Sequence, residues 1–63
     1  MKLSIKAARA QAGFTQTEVS AKTGWARSTI RRWERYETCP PMEKRKALCA
    51  LYGIPEEEIK WEK

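Results

Sequence analysis

Residues 15–35 read TQTEVSAKTGWARSTIRRWER, with a single glycine, Gly24, close to the middle. The segment begins with the pattern of a capping box, in which the Thr15 hydroxyl accepts from the Glu18 amide and the Glu18 carboxylate accepts from the Thr15 amide. Gly24 can adopt the left-handed conformation that ends a helix, and an apolar residue follows it, as is common there. The stretch therefore predicts two short helices joined by a tight turn, an αα corner.

The second of these helices, near residues 26–35, separates apolar from basic side chains. At about 100° per residue, Ile30 and Trp33 share one arc with Ala26, and Glu34 falls at the edge of that arc. The opposite side carries Arg27, Ser28, Arg31, Arg32 and Arg35. The spacing predicts that this helix buries Ile30 and Trp33 and presents its guanidinium groups outward.

The rest of the chain also carries the start and stop signals of helices, and no segment keeps the period-two alternation of a strand. Gly13 and Gly53 each follow an apolar helical pattern, while Pro41 and Pro55 each suit a first helical turn. We therefore expect an all-α fold. We also expect a single domain over residues 1–63, because that length fits one small core. The expected helices lie near residues 3–12, 15–23, 26–35, 41–52 and 55–61.

The charge of the chain is unevenly distributed. The formal net charge is +5, yet residues 1–35 hold eight of the thirteen Lys and Arg and only two of the eight acidic residues. Residues 36–63 are therefore slightly acidic, and one half of a small domain is strongly basic. A basic side chain face can simply be solvated, but this imbalance favours a polyanionic partner.

Several classes of protein find no support in the composition. The longest apolar run, residues 48–52, is too short to span a bilayer, and the N-terminal residues have no signal-peptide pattern, so we expect a cytoplasmic protein. In that compartment Cys39 and Cys49 are expected to be free thiols. Two cysteines and no histidine exclude the common mixed zinc sites and leave a four-ligand site unsupported. The chain also has no aspartate, and neither cysteine has a visible base beside it. We predict no metal, no cofactor and no enzymatic activity.

Residues 3–59 resemble the Cro/C1-type (XRE) helix-turn-helix domain, and are similar to the DNA-binding domains of temperate-phage repressors. The resemblance rests on Gln16, Gly24, Ile30 and the Trp-Glu-Arg run at 33–35 in one register. It continues through Thr38-x-Pro40 and Leu48-x-x-x-Tyr52-Gly53-Ile54. The resemblance implies a compact five-helix, lambda-repressor-like domain with the helix-turn-helix unit near residues 15–35 and its second helix in the major groove.

The resemblance also implies a function and a partner. The expected protein is a bacterial or phage-encoded, sequence-specific regulator of transcription, a repressor, that binds double-stranded DNA at a near-palindromic operator as a homodimer. No membrane and no small-molecule ligand is evident as a partner. A second reading is an antitoxin-like or adaptor module that uses the same fold to bind an acidic protein, since a fold does not determine a function.

Individual roles follow from the same resemblance. Arg27, Ser28 and Arg32 match the positions that meet base edges, where an arginine can pair with guanine through two hydrogen bonds. Gln16 matches a phosphate clamp at a helix N-terminus, where free amides favour an anion. The other expected phosphate contacts are Thr17, Arg31, Arg35, Lys44 and Lys46. Arg9 and Glu34 match an internal ion pair that would orient the recognition helix.

The tryptophans differ in how well the sequence explains them. Trp33 is expected in the core. Trp25 stands where a smaller aliphatic residue is usual, so it belongs either to the core or to the surface beside DNA. Trp61 lies in a short charged segment, where packing on the core and a dimer contact are both open.

Overall fold

The computed structural model describes residues 1–63, and most of its regular structure is helical. The four α-helices are α1 (Ile5–Ala12), α2 (Gln16–Thr23), α3 (Arg27–Glu34) and α4 (Met42–Tyr52). A single 3₁₀ turn covers Glu56–Glu58, and two short strands, β1 (Leu3–Ser4) and β2 (Ile59–Lys60), pair in parallel. The helical class with a helix-turn-helix unit is confirmed, whereas the expected count of five helices is wrong.

The start and end of α2 follow from local chemistry, as predicted. The Glu18 amide donates to the Thr15 hydroxyl at 3.1 Å, and the Thr15 amide donates to the Glu18 carboxylate at 2.9 Å, which completes the capping box. Gly24 ends the helix with a φ of +81°, a conformation that a residue with a Cβ rarely adopts. By contrast, Ala26 begins α3 without a side-chain cap, so the position of α3 depends on its contacts with the rest of the domain.

The fifth helix, expected over residues 55–61, is replaced by the 3₁₀ turn and β2. Ile59 and Trp61 are two residues apart and are both buried, which the two-residue repeat of extended chain allows and a helix does not. The Trp61 indole N–H also donates to the carbonyl of Glu56 at 3.1 Å. The expectation that the chain contains no strand is wrong for the same reason, because β2 pairs with residues assigned to the first helix.

The core draws on every helix and on the C-terminal strand. Its buried side chains are Ile5, Ala8, Val19, Ile30, Trp33, Leu48, Tyr52, Ile54, Ile59 and Trp61. Trp33 is buried as predicted, and Trp61, which could have been a dimer contact, packs on the core with 8% of its surface exposed. No helix combines the length and apolar character needed to cross a membrane.

Tyr36 connects the end of α3 to the first residue of α1 and to β2. It has a φ of +60°, which is unfavourable for a residue other than glycine. Its hydroxyl accepts from the Ile5 amide at 3.3 Å and donates to the Lys60 carbonyl at 2.8 Å. These two bonds compensate for the strained backbone and tie the C-terminal end of α3 to both termini of the domain.

Candidate nucleic-acid interface

The turn between α2 and α3 is held by side chains as well as by Gly24. The Ser20 hydroxyl donates to the Trp25 carbonyl at 2.6 Å, and the Thr23 hydroxyl accepts from the Trp25 amide at 3.2 Å. Thr23 in turn donates to the carbonyl of Val19 at 2.7 Å. The first residues of α3 therefore follow a turn that is hydrogen-bonded on both sides of Trp25, and they have little freedom relative to α2.

The outward face of α3 carries the basic residues that the helical spacing placed there. Ile30 and Trp33 are buried, with 1% and 3% of their surface exposed. The exposed residues are Arg27, Ser28, Arg31, Arg32 and Arg35. This face, named here the arginine face, lies on a helix whose other side is anchored in the core.

Part of the arginine face combines with the start of α2 to form an open groove of about 380 Å³. It is lined by Gln16, Arg27, Ser28 and Arg31, and no apolar side chain contributes. Two guanidinium groups, a hydroxyl, a carboxamide and the N-terminus of α2 thus surround one space. Such a set of donors beside a positive helix end suits an anionic group such as a phosphate.

Beneath this groove, Glu34 joins three helices. The Arg9 guanidinium donates to both carboxylate oxygens, from Nε to Oε2 at 2.6 Å and from Nη2 to Oε1 at 3.1 Å. The Gln16 carboxamide donates to Oε1 at 2.9 Å, and Arg9 Nη1 donates to the Phe14 carbonyl at 2.8 Å. The side chains of Arg9 and Glu34 are only 13% and 3% exposed. The ion pair suggested by the family resemblance is thus present in the structure and includes Gln16.

This network has two consequences for the groove. The hydrogen bonds to Glu34 raise the pKa of Arg9 above its ordinary value, so the guanidinium keeps its charge. Gln16 uses one amide hydrogen inside the protein and keeps the other for a ligand, because a carboxamide nitrogen carries two. Gln16 therefore sits between the buried pair and the groove, oriented from below by Glu34.

The other expected contact residues have different surroundings. Arg32 is exposed and has no ion pair within the chain, whereas Arg35 lies 3.2 Å from Glu37 in an exposed pair. Thr17 is 3.4 Å from Arg27 Nη1, which places both beside the groove. Lys46 is exposed on α4. The contacts of these residues with DNA remain predictions.

Trp25 is explained by a contact that the sequence did not reveal. Its ring packs edge-on against Trp33, with centroids 5.4 Å apart and planes at 78°. The Lys44 ammonium lies over both rings, at 5.6 Å and 5.8 Å from their centroids. Trp25 is therefore half-buried at the edge of the core, between the two alternatives that its sequence position left open. Lys44 is separated from it by α3 and the loop that follows, so no local pattern could have linked them.

The cysteines and the acidic residues form no metal-binding cluster of three or more ligands. Both thiols are free, and the exposed Cys39 sulfur accepts from Arg45 Nη2 at 2.6 Å. Burial raises the pKa of the half-buried Cys49, which keeps that thiol protonated. The arginine face and its groove combine exposed positive charge with a concave surface.

Comparison with known families and proteins agrees with this geometry. The model of the helix-turn-helix family matches residues 5–59, which is most of the chain. Comparisons with curated proteins and with solved structures give no significant match. The matched range runs from the start of α1 to β2, so it includes the arginine face, the groove and the network beneath it.

Proposed function

Because the chain belongs to the Cro/C1-type helix-turn-helix family, a family of DNA-binding regulators, we propose that it is a sequence-specific repressor of phage or prophage type. The observation that carries this proposal is the arginine face, which is exposed, unpaired over most of its length and fixed from behind by the core. An α-helix fits the major groove of B-DNA, where base edges can be distinguished. On this proposal α3 is the helix that enters it.

The proposed contacts with DNA are of two kinds, to base edges and to phosphates. Arg27, Ser28 and Arg32 contact base edges, and either arginine can pair with guanine through O6 and N7. Contacts to phosphates position the domain without reading sequence. The proposed phosphate contacts are Gln16, Thr17, Arg31, Arg35, Lys44 and Lys46. The groove beside Gln16 supports this assignment, because each side chain that lines it carries a hydrogen-bond donor and none is a carboxylate.

A homodimer on a near-palindromic operator is the arrangement that the size of the domain favours. The domain measures 28 × 23 × 19 Å. Half-sites read from one face of DNA are about 34 Å apart, one helical turn. Two copies can therefore lie side by side on one face of the duplex, each with its own α3 in the groove.

The test starts with selection of bound duplexes from a random pool, followed by measurement of binding to a selected duplex and to a random one. We expect Arg32→Ala to reduce the discrimination between them by about 1–3 kcal/mol, because a base contact is lost. Arg31→Ala, on the same face, should weaken binding to both duplexes alike. Lys60→Ala removes one exposed positive charge from β2 and serves as the control for net charge.

Three outcomes would overturn the proposal or part of it. Equal losses on both duplexes for Arg32→Ala would remove this residue from the base-reading set. Enrichment of no sequence at all would contradict sequence-specific binding. If the protein bound no duplex and instead bound an acidic protein, the adaptor hypothesis would replace this one.

A further inference from the structure

Lys44 has an unusual environment for a residue on the first turn of a helix. A positive charge near a helix N-terminus is unfavourable, because the dipole is positive there. The Lys44 ammonium is nevertheless held over the rings of Trp25 and Trp33, at 5.6 Å and 5.8 Å from their centroids. A cation within about 6 Å of a ring face is attracted by the negative face of the π system. Two aromatic faces thus compensate for a local electrostatic cost.

The charge of Lys44 is held but not neutralised. The ion pairs of the structure are Arg9 with Glu34, Arg35 with Glu37, and Arg45 with Glu62, so no carboxylate lies within 4.0 Å of the Lys44 ammonium. The side chain is half-buried, in contrast to the exposed Lys46 on the same helix. A cation that is already held in place and has no carboxylate partner can bind an external anion with little further loss of side-chain entropy.

The position of this cation follows from Trp25. Trp25 lies two residues before the start of α3, and its carbonyl and amide are both hydrogen-bonded within the turn. A helix about 10–12 Å across nearly fills a major groove about 12 Å wide. Residues that flank the N-terminus of such a helix therefore lie near the phosphates that form the wall of the groove.

We propose that Trp25 is a positioning residue that, together with Trp33, holds the Lys44 ammonium at the rim of α3, where it neutralises one backbone phosphate. This inference rests on the proposed function. It adds a role for the Trp25 indole, which takes no part in the hydrogen bonds that hold the turn. Lys46, which touches neither ring, contributes to binding independently of Trp25.

The experiment measures the affinity of the intact chain for a fluorescein-labelled, mixed-sequence duplex of two helical turns over a series of salt concentrations. Neutralising one phosphate contributes about 0.9 to the slope of log K against log salt. Lys44→Gln should reduce the slope by about that amount and weaken binding about 5–10-fold at 0.1 M salt. Trp25→Leu should reproduce most of this loss, and the double variant should lose no more than Lys44→Gln alone.

Two further variants test whether the coupling is specific to the Trp25 ring and the Lys44 ammonium. Trp25→Phe keeps an aromatic face and should keep the wild-type slope, which separates positioning of the cation from packing of the turn. Trp25→Leu combined with Lys46→Gln should multiply the two single losses, because Lys46 does not contact the ring. Ring-current shifts add a measurement without DNA: the Lys44 ε-methylene protons should resonate upfield of those of Lys46, and move downfield in Trp25→Leu.

Losses that multiply in the Trp25→Leu, Lys44→Gln double variant would overturn the inference, as would the absence of an upfield shift at Lys44 in the wild-type protein. If the wild-type chain binds the duplex and Lys44→Gln leaves the slope unchanged, this inference fails and the proposed function stands. If the wild-type chain binds no duplex, the proposed function fails first. The two failures are therefore distinguishable.

Discussion

Arginines have opposite surroundings in two regions of this small domain. On the arginine face, Arg31 and Arg32 project into solvent and make no ion pair. The second region, called here the framework, consists of the residues that hold the helices and the C-terminal segment together. There, Arg9 makes three hydrogen bonds. Arg45 donates to the Pro40 carbonyl at 3.0 Å, and its guanidinium lies 5.6 Å from the Trp61 ring centroid. An arginine whose donors are satisfied within the protein stabilises the fold, and one whose donors are free can bind a partner.

The number of basic residues in the sequence therefore overstates the positive surface that is available to an anion. Arg9 belongs to the basic half of the sequence, yet its charge is compensated inside the protein by Glu34. The cations that remain for a ligand are the exposed ones that are unpaired or, like Arg35, paired only at the surface. Variants on the two sides of this comparison should therefore change different properties, stability for the framework and binding for the arginine face.

The largest effect on stability is expected for Arg9→Met, which leaves the Glu34 carboxylate buried with only the Gln16 amide as a donor. Breaking a buried ion pair by removing one partner costs about 3–5 kcal/mol. Urea denaturation monitored by tryptophan fluorescence measures the loss. Glu34→Gln is the matched variant, because it keeps the shape and removes the carboxylate charge. It leaves the Arg9 guanidinium unpaired, but that group is more exposed than the carboxylate, 13% against 3%, so this variant should lose less. A loss below about 1 kcal/mol for Arg9→Met would show that the pair is effectively solvated.

A smaller effect is expected for Tyr36→Phe, which removes one oxygen atom and with it both hydrogen bonds from Tyr36, one to the start of α1 and one to β2. The Ile5 amide and the Lys60 carbonyl would each lose a partner, at a cost of about 1–3 kcal/mol. The free energy of unfolding and hydrogen exchange at Ile5 check this prediction. Unchanged exchange at that amide would contradict the assigned role.

The smallest effect is expected for Tyr52→Phe, which makes the same chemical change at a hydroxyl that has no hydrogen-bond partner. Tyr52 is buried with 7% of its surface exposed, and its hydroxyl is unsatisfied. Removing an unpaired buried polar group is nearly neutral or stabilising, so the variant should unfold at the same or a slightly higher urea concentration at pH 7. The same loss of a tyrosine hydroxyl should therefore destabilise the protein at Tyr36 and not at Tyr52.

Tyr52 also predicts a pH dependence. Burial raises the pKa of its phenol from 10.0 to about 12, so the folded state holds the proton more tightly than the unfolded state does. Its contribution to stability is complete below pH 10 and is lost as the pH rises towards about 12. Tyr52→Phe should therefore retain more of its stability than the wild-type protein across that interval. Identical alkaline unfolding curves for the two proteins would contradict this assignment.

Much of the helix-turn-helix unit was predictable because its determinants are local. The capping box at Thr15, the left-handed Gly24 and the opposition of Ile30 and Trp33 to the arginines depend on spacings of a few residues. The ion pair between Arg9 and Glu34 came instead from the family resemblance, since no local rule relates residues that far apart.

The C-terminal segment was not predictable by the same rules. Pro55 and the acidic residues after it are typical of a helix start, and a single turn does form there. Whether that turn continues depends on Leu3 and Ser4, whose backbone groups pair with Ile59 and Lys60 from the other end of the chain. A strand of two residues has no pattern of its own, so only its partner makes it recognisable.

The helix boundaries around the turn and the two faces of α3 could be predicted from the sequence, because each depends on residues within one or two helical turns. The uneven charge follows directly from the composition of the two halves. Which of the cations remain free depends on packing, which places Glu34 beside Arg9, the rings of Trp25 and Trp33 beneath Lys44, and the Tyr36 hydroxyl between Ile5 and Lys60. An electrostatic interaction depends on the distance between groups in space, and packing sets that distance for residues far apart in the chain.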